Sequence, residues 1–386
     1  MSTLLDRLLR AGTASDAEIS SLIKEEGVDA VLTALVEEAL FRASVPTNPE
    51  PVHIALDITH DAETRRVVFH CVGGQRITRS DDEAPQEICR ELGMSLTHLI
   101  RRLYGRPGRR RTGDFSDVFL PARPDDLSRL PGLVVSTSLA SGALMNGLTI
   151  PRDDLGALCS SSGSDKWASF HWYTGHYERE FAPYRDEPVR ILEIGIGGFD
   201  GDLGGGSLRM WKRYFHRGQV FGIDLFDKSA LNEPRQTALV CDQGDPAALT
   251  ALAREYGPFD IVIDDGSHEN RHVRISFDAL FPYVKPGGLY VIEDMQTAYI
   301  PRMGGTEGPS AGPDTSIGLI KRLVDDLHHH EHTPGGVPTV TQRDVVGVRA
   351  YRNIAFVEKG VNGEVGIPPW MDDAAWAALG AIPPTE

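Results

Sequence analysis

Between residues 189 and 293 the sequence alternates short apolar runs with amphipathic segments, and few folds accommodate that rhythm. Runs at 189–194, 219–224, 238–241, 259–264 and 288–293 predict strands, and segments at 207–215, 246–256 and 272–283 carry apolar residues at helical spacing. Such strands, alternating with helices, belong in a parallel sheet covered on both faces. Two later runs, 345–351 and 353–359, joined by a tight turn, predict an antiparallel hairpin at the end of that sheet.

Ligands of open parallel sheets bind beyond the carboxyl ends of the strands, so the residues there carry the functional information. The first strand leads through Glu193 into Gly195, Gly197 and Gly198, and a second cluster, Gly204, Gly205 and Gly206, precedes a helix for which Ser207 is the expected cap. Glycine allows a left-handed turn or a close approach of ligand to main chain, so this stretch reads as a cofactor site. Asp224 ends the second strand 29 positions after Gly195 (224 − 195), placed to accept both hydroxyls of a ribose. Asp242 and Gln243 follow the third strand and can face an adenine edge. A nicotinamide site runs its glycines directly into the helix, whereas here an insertion separates Gly198 from Ser207. Glu193, Gly195 and Gly197 with an acidic second strand end look more like the S-adenosylmethionine site of Rossmann-like methyltransferases.

The fourth and fifth strands end in Asp264-Asp265-Gly266-Ser267-His268 and Glu293-Asp294. Neighbouring strands lie roughly 4.8 Å apart, so Asp265, Glu293 and Asp294 can aim oxygens at one centre. Crowded carboxylates repel one another unless neutralised, and Mg²⁺, octahedral and oxygen-seeking, is a natural neutraliser. The other reading has these acids capping helices or pairing with Arg271 and Arg274. His268, expected at the start of the next helix, is either a structural histidine or a general base, since a helix N-terminus leaves a neutral ring able to take a proton.

Composition narrows the partners. Lys plus Arg 39 against Asp plus Glu 55 gives −16, which disfavours nucleic acid and anionic membrane surfaces. Cys71, Cys89, Cys159 and Cys241 are scattered without a C-x-x-C pair, so neither zinc nor a disulfide framework is indicated and a reducing cytoplasm fits. No apolar run resembles a signal peptide or a membrane span. With 386 residues the chain accommodates two domains, and the loosened, Pro- and Ser-rich stretch 121–164 puts a boundary near 155.

Residues 1–155 predict helices up to about residue 40, strands near 53–58 and 66–72, and a helix over 84–104. This smaller α+β unit shows no catalytic pattern and is expected to serve assembly or packing. The six arginines between Arg101 and Arg111 are expected in a solvated loop or a subunit contact. His328, His329, His330 and His332 are expected at a solvated helix end, and Trp167, Trp172 and Trp211 suit core packing or an acceptor pocket equally. The Gly- and Pro-rich stretch 299–316 is expected as a lid beside Asp294.

The run Phe259-Asp-Ile-Val-Ile-Asp-Asp-Gly-Ser-His268, with Val291-Ile-Glu-Asp294 and Asp165-Lys166 ahead of His171, Tyr173 and Tyr177, resembles the metal-dependent macrolide sugar O-methyltransferases of actinomycete antibiotic pathways. The resemblance implies a class I S-adenosylmethionine methyltransferase domain, 156–386, with a mostly parallel sheet and terminal antiparallel hairpin, behind an auxiliary and oligomerisation domain, 1–155. It implies Mg²⁺ on Asp265, Glu293 and Asp294, and His268 as base. S-adenosylmethionine is implied on Glu193, Gly195, Ser207, Asp224, Asp242 and Gln243, with Tyr173 and Asp264 near the methionine end. A glycosylated small-molecule acceptor and a homo-tetramer follow from the same resemblance, while the loop at 199–203 does not match. The competing functions are a methyltransferase for a catechol-like or other diol, and a non-catalytic scaffold that retained the cofactor fold.

Overall fold

The computed structural model describes residues 3–80, 88–106, 115–119, 129–148, 154–167, 171–198, 203–332, 336–363 and 373–378. The loop at 199–202, parts of the arginine-rich and proline-rich stretches, and residues 84–87 of the expected helix lie outside the described residues.

Three helices open the chain: α1 (Leu4–Ala11), α2 (Asp16–Glu26) and α3 (Val28–Arg42). Reciprocal bonds between Thr3 and Asp6, and between Ser15 and Glu18, satisfy the first amides of α1 and α2. There follow β1 (Val52–His60), β2 (Glu63–Cys71), β3 (Thr78–Arg79), β4 (Ile88–Ser95), α4 (Leu96–Tyr104), β5 (Phe115–Phe119) and α5 (Leu130–Gly147). The strands form a sheet in the order β3-β2-β1-β4-β5, and the helices bury their apolar faces in one core with it.

The helix expected over 84–104 is corrected by this sheet. Among its described residues only 96–104 are helical, whereas 88–95 are extended and pair in parallel with β1, Leu92 opposite Leu56. Cys89, Leu92 and Met94 are buried in the first core, and the ladder with β1 overrides the local helical spacing. Three of the six arginines make contacts within the chain while staying at least partly solvated: Arg101 pairs with Asp16, Arg102 donates to the Leu148 carbonyl, and exposed Arg106 pairs with Glu187.

The second half starts with α6 (Leu155–Ser162) and α7 (Thr174–Phe181), then β6 (Arg190–Ile194), α8 (Gly206–Tyr214), β7 (Gln219–Asp224) and β8 (Gln236–Val240). It continues with α9 (Pro246–Tyr256), β9 (Phe259–Asp264), α10 (Asn270–Leu280), β10 (Val284–Ile292) and α11 (Ser316–Leu327). Last come α12 (His329–His332), α13 (Val340–Asp344), β11 (Val345–Tyr351), β12 (Ile354–Lys359) and α14 (Asp373–Ala378). The sheet order is β11-β12-β10-β9-β6-β7-β8; β10, β9, β6, β7 and β8 are parallel, and the β11–β12 hairpin is antiparallel, as the sequence predicts. Apolar clusters cover both faces, which explains why Ile191, Leu192, Ile261, Val262 and Ile263 form near-continuous runs. Chain order reverses between β6 and β9, so the crevice lies beyond their carboxyl ends.

The two halves are joined by buried charge. Glu38 on α3 accepts from Arg42 at 2.6 Å and from Arg235 Nε at 2.8 Å, and all three side chains are excluded from solvent. Burial alone pushes the Glu38 carboxyl up, but Arg235 and Arg42 outweigh it and hold the group down to about 2. Arg42 also donates to the His216 carbonyl and Arg217 to the Leu9 carbonyl. No described helix is long and apolar enough to cross a membrane.

Candidate active site

At the end of β6 the backbone must turn beside β9, and Gly195 makes the turn at φ +88°. A Cβ there would sit 2.2 Å from the Asp265 carbonyl oxygen, so only glycine fits. The turn opens a cavity of about 750 Å³ lined by Gly195, Gly197, Gly204, Ser207, Asp224, Asp242 and Gln243 on one side, and by Asp265, His268 and Asp294 on the other. Several strand ends therefore do share one rim.

Asp224 borders this cavity while its oxygens receive the Ile196 and Phe226 amides at 3.2 and 3.0 Å, which fixes the carboxylate relative to the glycine turn. Asp242 caps the local turn through the Gly244 amide at 2.7 Å. Gln243, expected at an adenine edge, spends its side chain internally: Nε2 donates to Asp264 at 2.6 Å and Oε1 accepts the Ser267 amide at 2.9 Å. Asp264, expected near a methionine end, is buried and accepts from Gln243, from Ser276 at 2.5 Å and from Tyr290. Burial pushes its carboxyl up to about 6, with the Ser276 bond opposing.

Ser207 does not cap its helix. Gly205 stands at the cap with φ +76°, α8 begins at Gly206, and the Ser207 hydroxyl donates to Glu193 at 2.7 Å. Glu193 also accepts from Trp211 at 3.2 Å and is buried, pushed up to about 7 by that burial against the opposing charge of Lys166. Trp211 is thereby a core residue, while Trp167 and Trp172 pack edge to face at 4.8 Å and stay exposed.

The acids converge next to the cavity. One ligand atom each from Asp265, His268 and Asp294 lies within 4.8 Å of the others. Glu293 follows on the adjacent strand end, its Oε1 bound by Lys166 at 2.7 Å and by the Tyr177 hydroxyl. Tyr173 donates to Asp294 Oδ1 at 2.6 Å. His268 stands one residue ahead of the Glu269 cap of α10, just outside the helix N-terminus rather than within the helix; its Nε2 is 3.5 Å from Asp294 Oδ2. The acids pair with neither Arg271 nor Arg274 among the described contacts: Arg274 meets Asp314 at 2.5 Å. Their cation is Lys166, whose Nζ contacts Asp265 at 2.5 Å and Glu293 at 2.7 Å. Burial works against that ammonium, but Asp265, Glu293 and Glu193 overcome it and hold its pKa well above the ordinary lysine value. Burial and then Asp265 push Glu293 well above the usual carboxyl range. Glu193, Asp265 and Glu293 contact this lysine and Asp294 lies beside Asp265 and His268, and such a set of oxygen donors fits a hard divalent cation.

A family profile described as MycE methyltransferase N-terminal matches residues 5–114. Demethylmacrocin O-methyltransferase of Streptomyces fradiae is 44% identical over 373 residues, 96% of this chain and 94% of that protein. Mycinamicin VI 2''-O-methyltransferase of Micromonospora griseorubida is 41% identical, over 94% of this chain and 92% of that protein. The chain belongs to this family of sugar O-methyltransferases. The MycE methyltransferase of the mycinamycin biosynthetic pathway, solved in complex with Mg, SAH and mycinamycin VI, superposes on this sugar O-methyltransferase with a TM-score of 0.90. Identity there is 39%, over 98% of each chain.

In this methyltransferase the residues that sequence reasoning gave no role are Lys166, Tyr177 and His171. Tyr177 bonds Glu293, and His171 stacks on Tyr173 at 4.6 Å with Nδ1 3.5 Å from Asp294 Oδ1. Lys166 contacts acids 99 and 127 residues away, a distance no local pattern spans. The stretch expected as a lid is folded and tied down: buried Asn270 donates to the Thr297 and Met303 carbonyls and accepts the Ser316 amide at 2.7 Å. Opening it requires breaking those bonds. At the histidine run, His328 and His330 are exposed as expected, but His329 is buried with Nδ1 3.2 Å from the Asp326 carbonyl.

Proposed function

We propose that this protein methylates a hydroxyl of a deoxysugar, one of a vicinal pair, on a macrolide or related glycosylated natural product, with S-adenosylmethionine as donor and Mg²⁺ as cofactor. The observation that carries the reading is the convergence of Asp265, His268 and Asp294 at one side of a cavity whose other side is the glycine turn and Asp224. Relatives that act on macrolide sugars support the acceptor class.

The chain's residues divide the work. Gly195, Gly197 and Gly204 bring main chain against the donor, with Asp224 and Asp242 as acceptors for its hydroxyls and base; Gln243 and Asp264 stiffen the wall behind. Asp265, Glu293 and Asp294 would hold the cation, and the chemistry a bound divalent ion would supply there is a lowered pKa for an acceptor hydroxyl, as for water. His268 removes the hydroxyl proton as general base, and the imidazolium so formed is stabilised by Asp294, 3.5 Å from its Nε2. Tyr173 and Tyr177 keep the two carboxylates of 293 and 294 in place by donating to one oxygen of each. The cavity wall aligns the acceptor oxygen with the donor methyl, which removes the entropy of bringing two molecules together.

The domain division at 155 belongs to this proposal and is supported by separate cores, one ending at Leu148 and another starting at Leu155. Homo-oligomer formation through the first domain is supported by exposed Val134, Val135 and Leu139 on α5, and the tetramer rests on the family resemblance alone. Residence in a reducing cytoplasm is supported by four buried free cysteines.

Mass spectrometry of desmethyl glycosides incubated with the protein, S-adenosylmethionine and Mg²⁺ tests the reading. A gain of one methyl on the sugar of a macrolide glycoside is expected. Methylation of a catechol with none on any glycoside would contradict the acceptor, and none on any diol would leave only a scaffold.

A further inference from the structure

Lys166 is wholly buried, yet it lies on the short stretch between α6 and α7, outside the sheet. Its ammonium reaches Asp265 Oδ2 at 2.5 Å, Glu293 Oε1 at 2.7 Å and Glu193 Oε1 at 3.5 Å. These acids stand at or just past the ends of β6, β9 and β10, which are consecutive in the sheet, so one ammonium spans three strand tips. A compact ammonium carries three donors and a single charge, which suits it to gather oxygens that would otherwise repel.

Two of those acids, Asp265 and Glu293, are also among the three assigned above to the divalent cation. We propose that Lys166 is a resident place-holder cation: it keeps Asp265 and Glu293 together before the metal enters, and opposes the metal once it is there. Resting as it does on the metal reading, this inference adds a balance that the acids alone do not have. A site of uncompensated carboxylates binds a divalent ion tightly but is repulsive when empty. With Lys166 in place the empty site is stable, and the ion binds weakly enough to exchange. Lys166 is thus a positioning residue, acting on the ligands and not on the acceptor.

The test compares the full-length protein with Lys166→Met and Lys166→Gln, which remove the charge, and with Lys166→Arg, which keeps it. Mn²⁺ binding is read by the electron paramagnetic resonance signal of the free ion, and thermal unfolding is read in metal-free buffer and with Mn²⁺. Removal of the charge should tighten Mn²⁺ binding on the order of tenfold, because a positive neighbour of the ion is gone. It should also lower the metal-free melting temperature and enlarge the rise produced by Mn²⁺, while Lys166→Arg stays close to the parent in affinity. Unchanged or weaker Mn²⁺ binding in a charge-removing variant that still binds S-adenosylhomocysteine overturns the inference and makes Lys166 a plain support. Failure of both charge-removing variants to fold even with saturating Mn²⁺ overturns it too, since the ion should replace the missing charge. Absence of Mn²⁺ binding by the parent protein is a different result, and defeats the metal reading itself.

Discussion

His268 and Asp294 face each other across 3.5 Å, Nε2 to Oδ2, and both hold left-handed backbone, at φ 57° and 53°. Non-glycine residues enter that region at an energetic cost, and it recurs where side-chain placement matters more than local comfort. The two residues follow the ends of adjacent strands, β9 and β10, so the sheet sets their separation while the unusual backbone turns them inward. For His268→Ala, turnover should fall by roughly 100- to 10,000-fold, the range expected when a general base is lost. Affinity for S-adenosylhomocysteine, measured by calorimetry, should stay close to the parent value; an equal loss in both would make the residue structural.

Tyr173 bonds the other oxygen of the same carboxylate, Asp294 Oδ1, at 2.6 Å. Tyr173→Phe keeps the ring stacked on His171 but releases the oxygen. Loss of such an outer support weakens metal affinity or activity by roughly 10- to 100-fold. A Mg²⁺ titration of methyl transfer should show the half-saturating concentration rising by that order, and an unchanged titration curve counts against the support role.

How far the site could be read beforehand follows from where its information sits. Strands β6, β7, β9 and β10 are buried on both faces, so their apolar runs and acidic ends are local signals, and Asp265, His268 and Asp294 came out of them directly. Residues 88–95 misled because their extended form depends on pairing with β1, more than 30 residues earlier. Ser207 has the residue type of a cap, yet a buried glutamate from the neighbouring strand captured its hydroxyl. The Gln243–Asp264 bond was not legible either: both residues end strands or begin turns on the rim, but the contact that joins the amide to the carboxylate spans 21 residues and two strands.

Gly195→Ala places a methyl group 2.2 Å from the Asp265 carbonyl and requires φ +88° of a residue with a side chain. The backbone conformation alone costs roughly 1–3 kcal/mol. Chemical denaturation should show at least that loss of stability, and S-adenosylhomocysteine affinity should fall with it because the wall against Asp265 must move. A variant with parent-like stability and affinity would show that the turn is looser than this geometry.

Glu38 links the halves of the molecule from a fully buried position between Arg42 and Arg235. Removing one partner of such a cluster strands the remaining charges, and Glu38→Gln should cost about 3–5 kcal/mol. The pH dependence has a definite sign. The folded carboxyl lies at about 2 against an ordinary 4.5, so its contribution is present above the ordinary value and is lost as pH falls from there toward 2. Urea midpoints across that range should fall more steeply for the parent than for Glu38→Gln; parallel curves contradict the assignment.

Methyl transfer to a desmethyl deoxysugar glycoside, followed after exhaustive chelation and again after Mg²⁺ is restored, tests most directly whether the acids at 265, 293 and 294 work through a divalent ion. The account predicts that chelation abolishes transfer while S-adenosylhomocysteine still binds, and that Mg²⁺ restores the rate. Full-speed transfer by rigorously metal-free protein would contradict it.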